Sequence, residues 1–136
     1  MKLLRSLKGL QRDPGSVVTV GTFDGVHLAH QEIVREVVNR SKMREGRSVV
    51  ITFEPHPKEV VASRQGPVKL LSTLEEREEQ FGRLEVDLML VIEFTYEFSR
   101  LTSREFYERY VVEGVGVNEV VVGYYHMFGR DRKAGI

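Results

Sequence analysis

Four short apolar runs, each uninterrupted by a polar alternation, constrain this chain more than any other feature. They are Val17–Val20, Ser48–Phe53 (SVVITF), Asp87–Phe94 with LMLVIEF at its centre, and Glu119–Gly123 (EVVVG). A strand with one wet face alternates apolar and polar residues, whereas a strand that is apolar throughout is covered on both faces. Between the first two runs the period changes. Ile33, Val34, Val37 and Val38 fall on one face of a helix, and Glu32, Arg35, Glu36, Asn39 and Arg40 occupy the rest, with Gly46 as a stop past the end. Thr73 and Glu76 have the spacing of a capping box and open a short helix through Gln80. Thr102 and Glu105 repeat that spacing ahead of a helix with Phe106, Tyr107, Tyr110 and Val111 on its inner face. Strand–helix alternation with doubly buried strands predicts an α/β fold, a doubly wound parallel sheet with helices on both faces.

In such a sheet, ligands bind beyond the carboxyl ends of the strands. Three segments leave those ends: residues 21–27, 54–71 and 123–133, all rich in Gly, His, Pro, aromatics or Arg. The middle one is long for a small domain, which favours a functional loop. The 136 residues suffice for one domain and one modest core. Lys plus Arg and Asp plus Glu balance at 20 each, so no excess charge draws the chain to nucleic acid or an acidic membrane. A local basic cluster, Arg130, Arg132 and Lys133, suits a phosphorylated small molecule, or is a solvated tail. The absence of cysteine excludes disulfides, thiolate metal sites and cysteine nucleophiles, and fits a cytoplasmic protein. Arg5 and Lys8 interrupt the N-terminal apolar stretch, which is too short for a signal or membrane segment.

The first loop runs into its helix as GTFDGVHLAH. His27 and His30 are three apart and share a helical face near an N-terminus, where free N–H groups and the dipole attract anions. The residues alone leave three readings open: two phosphate donors, a chance surface pair, or two ligands of a metal completed by His56 or His126. Gly21 and Gly25 serve either a tight turn or close approach to a ligand, Phe23 and Phe128 either core packing or ring stacking, and Pro55 and Pro57 either a stiff loop or a ligand wall.

Four segments in order carry a resemblance. GTFDGVHLAH resembles the Gly-x-Phe-Asp-Gly-Val-His-x-Gly-His signature of nucleotidyltransferases. TFEPHP at 52–57, FTYEFSRLTSREF at 94–106 and VVVGYYHMFGRDRKAG at 120–135 are similar to segments of the bacterial FAD synthetase branch, the FMN adenylyltransferase domain of bifunctional riboflavin kinase/FAD synthetases. The resemblance runs from about Val17 to the end. It implies a Rossmann-like sheet and the reaction of FMN with ATP, assisted by Mg2+, to give FAD and pyrophosphate. It implies that His27 and His30 donate to the phosphates and that Gly21, Thr22, Phe23, Asp24 and Gly25 shape the ATP pocket. Pro55, His56 and Pro57 would lie near the flavin, and Gly123, Tyr125, Phe128 and Arg130 would frame the far side of the nucleotide. No protein cage for the metal is implied. The pattern is departed from at Ala29, where the family has Gly, and at Tyr125, where it has Asp or Asn. The family domain continues beyond the position of Ile136, so the resemblance also implies a partial domain, an incomplete sheet, no riboflavin kinase domain, and self-association through an exposed sheet edge. An inactive nucleotide- or flavin-binding remnant is the alternative. A nucleotidyltransferase of another substrate and a ligand-free interaction role are the further rivals.

Overall fold

A computed structural model describes residues 1–25, 28–55 and 73–122. Its sheet has five strands, one more than the apolar runs predict: β1 (Lys2–Leu4), β2 (Val17–Val20), β3 (Ser48–Glu54), β4 (Leu88–Glu93) and β5 (Glu119–Val120). The spatial order is β1-β4-β3-β2-β5, and every pairing is parallel. The longest ladder runs from Val49↔Leu88 to Glu54↔Glu93. The added strand is short and half-exposed, and its pairing Lys2↔Leu88 to Leu4↔Leu90 makes it a strand. The fourth apolar run is extended only at Glu119–Val120 among the described residues; Gly123 lies outside them.

Burial on both faces explains the continuous apolar runs. On one face Val50, Met89 and Val91 pack with Val34 and Val38 of α1 (Leu28–Met43) and with Leu74 and Phe81 of α2 (Leu74–Arg83). On the other, Val49, Ile51, Phe53, Leu90 and Ile92 pack with Phe98, Phe106, Val111 and Val115. Those four come from α3 (Tyr96–Ser99), α4 (Ser103–Phe106) and the π-helical turns that continue α4 from Tyr107 to Val115. Phe53 is the hub of this second core: its ring lies 5.6 Å from Phe94, 5.8 Å from Phe98 and 6.2 Å from Phe106. Crossovers on opposite faces make the sheet doubly wound, as the sequence predicts.

Both capping boxes are formed. Thr73 accepts from the Glu76 N–H while Glu76 accepts from the Thr73 N–H, and Thr102 and Glu105 do the same. Gly46 closes the helix just past its end, as the sequence predicts, but the left-handed position is not its own. The left-handed residue after α1 is Glu45, with φ 53°, and the Gly46 N–H reaches the Ser41 carbonyl at 2.7 Å. Position 46 excludes a side chain because a Cβ there would lie 2.1 Å from the Gly15 carbonyl oxygen. At the end of the π-helical turns, Gly116 takes φ 84° and ψ 142°, and its N–H donates to the Val111 carbonyl at 2.8 Å.

Candidate functional site

Strand order locates the site before any side chain is considered. The chain runs from β2 outward through β3 to β4, then returns to the other side of β2 to lay down β5. That reversal makes β2 the switch point, where neighbouring loops diverge and leave a crevice at the carboxyl edge. The segment leaving β2 there is Gly21-Thr22-Phe23-Asp24-Gly25, and the segment leaving β3 begins at Glu54-Pro55.

The 21–25 loop is fastened from below. The Gly21 N–H continues the sheet by donating to the Ile51 carbonyl at 3.0 Å. The Thr22 carbonyl accepts from the Thr52 hydroxyl at 3.0 Å and from Nη1 of Arg77 at 2.7 Å, and the same Nη1 donates to Thr52 Oγ1 at 2.9 Å. Phe23 turns the chain with a left-handed φ of 52° and sends its ring into the core, 4% exposed. There it meets His30 edge-on at 5.3 Å and Phe81 at 5.5 Å. Of the two readings of Phe23, core packing is the observed one. Gly25 is again left-handed, with φ 78°.

His30 stands in the first turn of α1, half-buried against Phe23, so the loop residue also sets where the imidazole sits. Ala29 and Leu28 beside it are exposed. The loop residues 21–25, His30 and Pro55 are thus gathered at one edge of the sheet. His27, His56, Pro57, Gly123, Tyr125, Phe128 and Arg130 lie outside the described residues, as do His126, Arg132 and Lys133.

Arg77 is the site residue that sequence reading missed. In LEEREEQFGR it looks like one charge among many, yet it is only 7% exposed. Its spacing was the available signal: Leu74, Arg77 and Phe81 form one helical stripe, and all three are buried. Burial pushes the guanidinium pKa below its ordinary value, against the opposing pull of the Glu54, Asp24 and Glu75 carboxylates. Among the described residues, no group of three or more His, Cys, Asp or Glu is arranged to hold a metal ion. No helix among them is long and apolar enough to cross a membrane.

The sequence matches the model of a family described as FAD synthetase over residues 10–136. Curated relatives named bifunctional riboflavin kinase/FMN adenylyltransferase include one from Listeria monocytogenes, 36% identical over 87% of this chain and 37% of its own length. Others are from Pseudomonas fluorescens, 35% identical over 97% of this chain and 42% of its own, and Escherichia coli K12, 32% identical over 98% and 43%. The chain therefore spans well under half of each of these relatives. A solved structure titled as a macrolide-efflux protein from Streptococcus pneumoniae superposes with a TM-score of 0.79, at 27% identity, over 96% of this chain and 43% of that one.

Proposed function

The chain belongs to the FAD synthetase family, and from that premise we propose that it transfers the adenylyl group of ATP to FMN, giving FAD and pyrophosphate. The observation that carries this reading is the joint one. The family match covers residues 10–136, and within it the residues that open GTFDGVHLAH, Gly21 to Gly25, leave the sheet at its switch point. The efflux title of the pneumococcal structure stays with that protein.

In this reading an oxygen of the FMN phosphate attacks the α-phosphorus of ATP. A P–O bond forms there, and the bond to the bridging oxygen on the β side breaks. Pyrophosphate departs with the electron pair. The reaction needs no protein nucleophile, so alignment and charge stabilisation carry the catalysis. His27 and His30 donate to the phosphates as charge gathers on the leaving group. Gly21, Thr22, Phe23, Asp24 and Gly25 form the floor of the ATP pocket, and the proline at 55 begins the wall facing the flavin, continued by His56 and Pro57. Gly123, Tyr125, Phe128 and Arg130 close the far side. Magnesium, a hard cation that favours oxygen ligands, would be held chiefly by the triphosphate and would supply positive charge against the departing pyrophosphate.

The test is direct. The purified chain is incubated with ATP, FMN and magnesium chloride, and FAD and pyrophosphate are measured. Equal amounts of both products, lost in His30→Ala, support the reading. ATP and FMN binding without turnover would make the chain a binding remnant, and binding of neither would remove the proposal.

A further inference from the structure

We propose that Arg77 is a positioning residue for the nucleotide phosphates: its buried guanidinium holds the Thr22–Phe23 peptide so that the Phe23 N–H faces a bound phosphoryl group. The inference rests on the adenylyl-transfer reading and adds to it a residue from outside the loops.

Arg77 is costly where it stands. Taking a charge from water is unfavourable unless a partner compensates it. Yet its hydrogen bonds go to two neutral oxygens, the Thr22 carbonyl at 2.7 Å and Thr52 Oγ1 at 2.9 Å. Its buried Nε has no hydrogen-bond partner, and no carboxylate among the described residues forms an ion pair with it. Arg83, on the same helix, behaves in the ordinary way and pairs with Glu79 at the surface. An arginine kept in the interior beside neutral acceptors, with Glu54, Asp24 and Glu75 attracting it only from beyond ion-pair distance, fits a role that uses its donors or its charge.

What those donors do is fixed by peptide geometry. A carbonyl oxygen has two lone pairs, and at Thr22 both are engaged, one by the Thr52 hydroxyl and one by Arg77. The C=O and N–H of a planar trans peptide point in opposite directions. Drawing the Thr22 oxygen inward therefore turns the Phe23 N–H away from the guanidinium. Phe23 itself is left-handed, and Gly25 is again, so the chain turns sharply where it leaves β2. Arg77 acts on the ligand through this peptide and adds a positive charge below it.

The test compares wild type, Arg77→Met and Arg77→Lys by calorimetric titration with ATP, with pyrophosphate and with FMN, alongside the ligand-free melting temperature. Methionine fills similar volume without the charge, so the ligand-free melt stays near or above that of wild type. ATP and pyrophosphate binding weaken about tenfold, the scale of one hydrogen bond to a charged partner, while FMN binding is unchanged. Lysine restores part of the loss by donating to the Thr22 carbonyl. Unchanged pyrophosphate binding in Arg77→Met overturns the proposal. If that variant fails to fold, the wild-type Phe23 amide decides by nuclear magnetic resonance: a large shift on adding pyrophosphate supports the proposal, and no shift overturns it. A wild-type chain that binds neither ATP nor pyrophosphate overturns the adenylyl-transfer reading and this inference together, whereas a variant that binds like a competent wild type overturns this inference alone.

Discussion

The same chemical change, a methyl group added to glycine, should act in opposite directions at two places in this fold. Gly116 has φ 84° and ψ 142°, a region that side chains other than glycine rarely enter, and a Cβ there would lie 2.6 Å from the Asp13 carbonyl oxygen and 2.7 Å from its carbonyl carbon. The backbone strain costs roughly 1–3 kcal/mol. The clash adds roughly 1–3 kcal/mol, because the obstructing atoms are backbone and cannot rotate aside. Gly116→Ala should therefore lose about 4 kcal/mol, a large share of the roughly 5–15 kcal/mol that holds a domain together. At roughly 4 °C per kcal/mol, that lowers the melt by about 15 °C. Gly82 is the control. It lies within α2, at no positive φ, and a Cβ there would meet nothing within 4 Å. Gly82→Ala should gain up to about 1 kcal/mol from helix propensity alone. Urea unfolding of both variants beside wild type measures the two values in one experiment. Equal midpoints for the two variants would refute the reasoning, since each substitution adds the same single methyl group.

Other expectations follow from the packing and the charges. Phe53→Ala should cost about 3–5 kcal/mol, since it removes the ring around which Phe94, Phe98 and Phe106 are arranged; a chemical denaturation midpoint checks it. Thr73→Ala should cost about 1 kcal/mol by opening the capping box of α2, with Thr73→Asp close to wild type in the same assay. Glu119 accepts from Arg44 at 2.7 Å and Arg40 at 2.6 Å, and these guanidiniums, the Arg44 hydrogen bond foremost, hold its carboxyl below the ordinary range. A folded-state pKa below the unfolded one stabilises above the unfolded value and is lost as pH falls through the folded value. The advantage of wild type over Glu119→Gln should thus be full near neutrality and fade in acid, below the ordinary carboxylate pKa, as followed by melts across pH. Ala29, exposed in the first turn of α1, stands between the two histidines. Ala29→Gly should tighten ATP binding by calorimetry while costing up to about 1 kcal/mol of helix stability.

The three long strands could be read because burial on both faces leaves a continuous apolar signature, and α1 because Val34, Val37 and Val38 repeat at helical spacing. The capping boxes were legible because they are local hydrogen-bond patterns, closed within four residues. What escaped was set by distant partners. Lys2–Leu4 has no strand signature of its own and is extended because β4 offers it an edge. Gly46 was legible as a helix terminator, but the reason it must be glycine comes from Gly15, thirty-one positions earlier. Arg77 looked solvated because its neighbours in sequence are acidic, although its stripe on the helix is the buried one. At the site, motif spacing brought the 21–25 loop, His30 and Pro55 to one edge, whereas the peptide orientation that Arg77 imposes depends on Thr22 and Thr52, which no spacing rule connects.

The π-helical turns from Tyr107 to Val115 have a consequence for how the chain tolerates editing. Such a segment carries an extra residue in each turn relative to an α-helix, and it is bracketed by contacts that fix its two ends: Phe106 packed against Phe98 and Tyr110, and Gly116 bonded back to Val111. Its outer residues Val112 and Glu113 face solvent. The bracket stores slack, as a coil longer than the span it covers. A deletion of one outer residue can be absorbed by tightening toward α-helical winding while both anchors stay in place, whereas an equal deletion in α1 would rotate Val34 away from the sheet. Length, usually the least negotiable property of a core helix, is here the adjustable one.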